Sequence, residues 1–285
     1  MPKRSCGRIH YFRLTAAPVV ATAMTMLIAQ SAQADPVTVN LGTAANYAVL
    51  AATTVTNTGS TVISGGNLGL SPGTSVTGFP PGTFIPPAAE DLPDSAQAQT
   101  DLSAAYSQAQ GETPTAGDTG ESAFTNNQIL TPGVYNAPSG LLVDGAVTLD
   151  AGGNPNAVWI FQIGSTLTVG SQQTADITLA GGASACNVFW QVGSSATLDS
   201  VSNFVGSILA SASITVNGGD TVDGRLLAST AAVTLIDDAI TAPDCTVTLG
   251  TPLASMSVLA AAGGLAGLGS LGWFLARRRR TAAIA

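Results

Sequence analysis

Histidine occurs once in the 285 residues, at His10, and lysine once, at Lys3. Both fall in the first 34 residues, which read as an export leader. Lys3, Arg4, Arg8 and Arg13 make a basic start, an apolar run follows from Leu14 to Ile28, and Ala32-Gln33-Ala34 places small residues before a cleavage point ahead of Asp35. The run is short and broken by Pro18, which argues against a membrane span of about 20 apolar residues. From residue 35 to 250 the sequence then has no lysine, no histidine and a single arginine, Arg225. Ser-His-Asp and Cys-His catalysis and histidine-ligated metal sites are excluded there. All 17 acidic residues lie in the same region, so its formal charge is −16. That excess speaks against nucleic acid or an anionic bilayer as a partner of this part of the chain.

Charged residues make up only 9% of the sequence and hydrophobic ones 45%. Disorder requires the opposite balance. Roughly 215 residues remain after the ends are removed, enough for one sizeable core. Cysteine is scarce as well. Cys6 belongs to the leader, which leaves Cys186 and Cys245. An even pair in an exported chain predicts a disulfide over two free thiols.

The C-terminal end carries no charge from Leu253 to Ala276, and Arg277 to Arg280 follow directly. That length spans a bilayer of roughly 30 Å at about 1.5 Å per residue. The arginines place the end in the cytoplasm. The expected organisation is a leader over 1–34, an outer domain over 35–250, a membrane anchor over 253–276 and a basic cytoplasmic tail over 277–285. A sorting tail removed by a processing enzyme is the rival for the last two, although no LPxTG motif precedes them.

Against these scarcities stands a repeat. Short strand-like runs recur as Leu141-Leu142-Val143, Val158 to Ile163, Val188 to Val192, Val205 to Leu209 and Arg225-Leu226-Leu227. A second series follows each by a few residues: Ala146-Val-Thr-Leu149, Thr166-Leu-Thr-Val169, Ser195-Ala-Thr-Leu198, Ser213-Ile-Thr-Val216 and Ala232-Val-Thr-Leu235. A weaker third side includes Ile177-Thr178-Leu179 and Thr221-Val222. Three short strands per coil describe a parallel β-solenoid of triangular section, mainly β, whose coils stack about 4.8 Å apart. Alternation sends Val147, Leu149, Leu167, Val169, Ala196, Leu198, Ile214, Val216, Val233 and Leu235 inward. Thr148, Thr168, Thr197, Thr215 and Thr234 then point outward in one column, beside Ala146, Thr166, Ser195, Ser213 and Ala232. The long interval between Thr168 and Thr197 reads as an inserted loop over Ser171 to Ala185. A β-sandwich of unrelated strands does not explain one pattern at nearly constant spacing.

One segment has helical period. Ala98, Leu102, Ala105 and Ala109 share one face of a helix over about 95–110, with Asp94 as N-cap and Gly111 as stop. Such a helix cannot sit within a coil and is expected to pack along the stack. Tyr47 to Gly82, before it, reads as further short strands and turns.

The segments Tyr47-Ala-Val-Leu-Ala51, Gly69-Leu-Ser-Pro-Gly73, Leu130-Thr-Pro-Gly-Val-Tyr135 and Val158-Trp-Ile-Phe-Gln-Ile-Gly-Ser165 carry a resemblance, and Cys186-Asn-Val-Phe-Trp-Gln-Val-Gly-Ser-Ser-Ala-Thr197 carries it most specifically. From Asn46 to Cys245 the chain resembles the microbial ice-binding (antifreeze) family, whose fold is a discontinuous right-handed β-solenoid with one flanking helix. The resemblance implies a non-enzymatic protein without cofactor whose partner is the surface of an ice crystal; with the tail described above, the expected protein is a monomer held at the cell surface. It also implies that the second strand series is the binding face. Thr148, Thr166, Thr168, Ser195, Thr197, Ser213, Thr215 and Thr234 are then the site residues. A threonine presents a methyl and a hydroxyl together and orders water without charge, whereas Ala146 and Ala232 interrupt a pure threonine array.

Other readings remain beside this one. Asp220, Asp223, Asp237 and Asp238 are candidate carboxylates for a glycosidase, although aspartate is common in turns. Asn217-Gly-Gly-Asp-Thr-Val-Asp-Gly224 faintly matches a calcium β-roll, once and out of register. A surface adhesin without ice activity suits the tether equally.

Overall fold

The computed structural model describes residues 36–92, 94–115, 118–199 and 201–245. The expected leader over 1–34, the span over 253–276 and the basic tail over 277–285 lie outside the described residues. Among the described residues no helix is long and apolar enough to cross a membrane.

Every strand pairing is parallel, as a coil stacked on a coil requires and a sandwich does not. Three faces result. The first is built from Gly133–Ala137, Trp159–Ile163, Val188–Val192, the second halves of Val201–Ala210 and Thr221–Ala228, then Tyr47–Ala51 and Asn67–Leu70. The second runs Ala123–Thr125, Leu141–Asp144, Leu167–Val169, Ala196–Leu198, Ile214–Val216, Val233–Ile236, Thr54–Thr58 and Ser75–Thr77. The third runs from Gln128–Leu130 through Ala146–Asp150, Ala175–Ala180 and the first halves of the two long strands to Ala239–Thr241, Val62–Ser64 and Thr83–Phe84.

The stack is out of chain order. The two N-terminal coils do not precede the coil that starts at Gly133. They add to the far end, beyond Val233–Ile236 and Ala239–Thr241. The helix α1, Ser95–Gly111, then carries the chain back along the stack to the other end. Without these coils the strands from Thr221 to Thr241 would leave a row of unpaired backbone groups. The seam is held by side chains too. Asp237 Oδ1 accepts from the Ser60 N–H at 2.6 Å and from its hydroxyl at 3.1 Å, and Arg225 Nε donates to the Ala45 carbonyl at 3.0 Å. Cys186 and Cys245 are joined in a disulfide.

The ten residues expected to point inward are all buried in one core. A file of aromatic rings runs through it. Phe161 stacks on Trp190 with centroids 3.9 Å apart, flanked by Tyr135 at 5.3 Å and Phe204 at 5.4 Å. The Trp159 and Trp190 indoles donate to the carbonyls of Leu130 and Val205, so neither buried ring leaves an unmet donor. A second cluster lies outside the first face. There Ala98, Leu102, Ala105 and Ala109 of α1 cover Leu50, Val134, Ile160, Phe189, Leu209 and Leu227. Asp94 occupies the N-cap position, but its side chain makes no capping hydrogen bond. The other end is closed by the solenoid itself, since Gln162 Nε2 donates to the carbonyls of Ala109, Gln110 and Glu112 at 2.9, 3.2 and 2.7 Å.

The structure corrects the repeat at one coil. Ala146–Asp150 belongs to the third face, where Thr148 pairs with Thr178 and Ile129. The strand of that coil on the second face is Leu141–Asp144, with Leu142 opposite Thr168. Thr148 therefore stands outside the column of Thr168. Within the interval read as an inserted loop, Ser171 to Ala185, the strand Ala175–Ala180 carries the third side expected at Ile177-Thr178-Leu179 and completes its coil on the third face.

Candidate functional site

Alternation on the second face turns one residue of each short strand to solvent, and parallel pairing sets these residues side by side. The register aligns Thr168 with Thr197, Thr197 with Thr215, and Thr215 with Thr234. Thr234 then pairs with Thr56 of the N-terminal coil, and Thr56 with Thr77. Six threonines in unbroken succession form the central file. At the other end the file passes to Leu142 and Ala123.

A second file lies two residues earlier in each strand. The backbone bonds from Leu141 to Thr166, Leu167 to Ser195, Ala196 to Ser213 and Ile214 to Ala232 set those four residues beside one another. Thr54 and Ser75, paired in register, continue it on the N-terminal coils. The hydroxyls of Ser195 and Ser213 lie 2.9 Å apart. Neither file contains a charged side chain. Of the residues singled out in the sequence, Thr166, Thr168, Ser195, Thr197, Ser213, Thr215 and Thr234 come together here, and Thr148 does not. Thr54, Thr56, Ser75 and Thr77 were missed. Their Thr-Val-Thr and Ser-Val-Thr patterns match the later strands and were the available signal.

The other two faces differ in kind. The first is covered by α1. The third carries Asp150, Asp176 and Asp223, and its register breaks at Ala175 and Asp176. Charge and irregular spacing both work against matching a repeating, uncharged surface.

Three of the four carboxylates weighed as catalytic groups, Asp220, Asp237 and Asp238, accept structural hydrogen bonds. At the corner between the second and third faces, Asp220 Oδ1 accepts from the Val201 N–H at 2.8 Å. Asp238 Oδ1 accepts from the Asp220 N–H at 3.3 Å, and its Oδ2 from the Ile236 N–H at 2.8 Å. The Asp238 N–H donates in turn to Thr61 Oγ1 at 3.1 Å. This chain of bonds runs from coil to coil in place of a regular ladder. Burial pushes the Asp238 carboxyl up to about 6 against its two backbone donors, and raises Asp220 as well. Asp237 sits in the left-handed region at φ 54°, in a turn. Among the described residues no group of three or more His, Cys, Asp or Glu side chains is placed to hold a metal ion.

Comparison with known proteins agrees with this geometry. A model of the ice-binding-like family matches residues 49–241. An ice-binding protein of Nostoc sp. (strain HG1) is 45% identical over 196 residues, 68% of this chain and 71% of that one. An ice-binding protein of Flavobacterium frigoris (strain PS1) is 35% identical over 218 residues, covering 72% and 76%. Among solved structures, the ice-binding protein of the Antarctic ascomycete Antarctomyces psychrotrophicus aligns with a TM-score of 0.67 at 37% identity, over 73% of this chain and 99% of that one. One from an Antarctic biological consortium aligns with a TM-score of 0.66 at 40% identity, over 73% and 93%. In sequence and in fold, the chain belongs to the ice-binding-like family.

Proposed function

We propose that this protein binds ice, as its relatives are named for doing, and that it does so through its second face. The observation that carries the reading is the unbroken file from Thr168 to Thr77. Hydroxyls and methyls repeat there at the inter-coil distance of about 4.8 Å, on a parallel sheet, with no charge in either file. Such groups order water weakly enough to exchange solution for lattice, whereas an ion holds its own shell. The site comprises Thr56, Thr77, Thr168, Thr197, Thr215 and Thr234, flanked by Thr54, Ser75, Thr166, Ser195 and Ser213.

The test is inhibition of ice recrystallisation by the purified protein, together with the shape of single crystals grown in its presence. The wild-type chain is expected to inhibit and to facet crystals. Thr197→Tyr and Thr215→Tyr should abolish both at an unchanged melting temperature. A wild-type protein that leaves ice growth untouched at high concentration refutes the reading, and leaves a surface solenoid of adhesive type.

The proposal extends to location. The leader over 1–34, the disulfide and the apolar stretch over 253–276 before Arg277 to Arg280 support display outside the cell on a C-terminal anchor. Fractionation of producing cells decides this. The chain should sediment with membranes and be released by external protease, and a chain found wholly in the medium would overturn it.

A further inference from the structure

The segment from Asn217 to Gly224 has no part in the site described above, yet it begins beside it. Asn217 follows Thr215 by two residues and so faces outward at the edge of the second face. Its Nδ2 donates to Asp199 Oδ1 at 3.1 Å, and Asp199 holds the same place after Thr197 in the neighbouring coil. Asn217 is followed by Gly218, and no other asparagine in the sequence is followed by glycine.

The geometry points to Asn217 as a site of spontaneous deamidation, which places a second carboxylate against the threonine file. Both residues are exposed, and Gly218 stands in the left-handed region at φ 91°. A Cβ there would meet nothing nearer than the Ile236 carbonyl oxygen at 3.7 Å, so the turn has room to rearrange. Among the described residues the Gly218 N–H has no hydrogen-bond acceptor. With no side chain beside it, that nitrogen is open to bond formation. In the reaction the Gly218 nitrogen bonds to Asn217 Cγ and the Cγ–Nδ2 bond breaks. Ammonia leaves with the proton from Gly218. Water then opens the cyclic imide: attack at Cγ breaks the Cγ–N bond and gives aspartate, whereas attack at the main-chain carbonyl breaks its C–N bond, leaves the chain linked through Cγ and gives isoaspartate; either product adds one carboxylate. The Asp-Gly pairs do not offer the same chemistry. Asp144 is buried and accepts from the Gln172 and Gln173 N–H groups, and Asp223-Gly224 lies within a strand.

The product matters through its neighbours. The amide that bridged to Asp199 becomes a like charge beside it, and the bridge is lost. Two carboxylates then hold their own water at the edge of Thr197 and Thr215. This consequence rests on the ice-binding reading, whereas the modification does not. The full-length protein is aged at mildly alkaline pH and mapped by proteolysis and mass spectrometry. The mass gain that replaces NH by O should build up in the peptide containing Asn217, several-fold faster than at exposed Asn127. It should be absent from that position in Asn217→Gln. No gain at Asn217, or a gain no faster than at Asn127, overturns the assignment. Freshly made Asn217→Asp should inhibit recrystallisation several-fold less than wild type at an equal melting temperature. Equal inhibition overturns the functional consequence. An inactive wild type refutes ice binding itself, while the mass map still judges the modification.

Discussion

Thr234 lies directly beside Thr56, although 178 residues of chain, the helix among them, separate the two. The central file is thus continuous across the one seam where the solenoid leaves chain order. Thr56→Tyr should remove most of the inhibition of ice recrystallisation, as is expected of Thr215→Tyr, because each interrupts the file at an interior position. Both positions are outward and the core behind them is unchanged, so melting temperatures should stay within the usual scatter of surface substitutions, about ±0.5 kcal/mol in stability. Full activity in Thr56→Tyr would confine binding to the C-terminal coils.

Thr148 supplies the control. Its hydroxyl is 3.2 Å from that of Thr178, on the third face. A tyrosine there meets solvent and leaves the second face untouched. Thr148→Tyr should therefore keep wild-type recrystallisation inhibition. If it proves as damaging as Thr197→Tyr, the third face takes part in binding and the single-face reading fails.

The contrast between these residues shows what the sequence carries. Alternation is a local property, so the inward positions from Val147 to Leu235 and the buried helix face of Ala98, Leu102, Ala105 and Ala109 could be read directly. Register is not local. Ala146-Val-Thr-Leu149 has the same pattern as Ser213-Ile-Thr-Val216, yet it lies on another face, because the strand of its coil on the second face places Leu142 in the outward position. An apolar residue there conceals the true equivalent. Thr56 and Thr77 have the right local pattern, but nothing near them in the chain says which coil they join. That follows from the helix returning the chain to the other end and from the open edge that the N-terminal coils close.

Gln162 ties α1 to the first face. Its amide serves the carbonyls of Ala109, Gln110 and Glu112, which close the helix C-terminus, and the side chain is buried. Gln162→Ala leaves those acceptors without this donor and should lower stability by about 1–3 kcal/mol. The denaturant midpoint measures it. Activity on ice, assayed well below the melting point, should be unaffected, since α1 lies on a different face from the threonines. Loss of activity with unchanged stability would mean that the helix acts on the binding face.

Asp238 makes the pH profile of stability informative. Its carboxyl is pushed up to about 6 in the fold, first by burial and further by Asp220 and Asp237, against the pull of the Ile236 and Asp220 N–H groups. In the unfolded chain it ionises near 4. Below pH 4 it is protonated in both states, so its favourable contribution is fully present. Between pH 4 and 6 the unfolded chain ionises first, and that contribution is lost as pH rises through the folded value. Asp220 is raised too and acts in the same sense, whereas exposed Asp101, held low by its bonds from Thr43, acts in the opposite one. Comparison with Asp238→Asn isolates the single group. The substitution removes a backbone acceptor and so should destabilise throughout, but its cost should shrink from pH 4 to pH 6 and stay level above. A cost independent of pH, measured by thermal unfolding across that range, would show that Asp238 does not change ionisation between the folded and unfolded states.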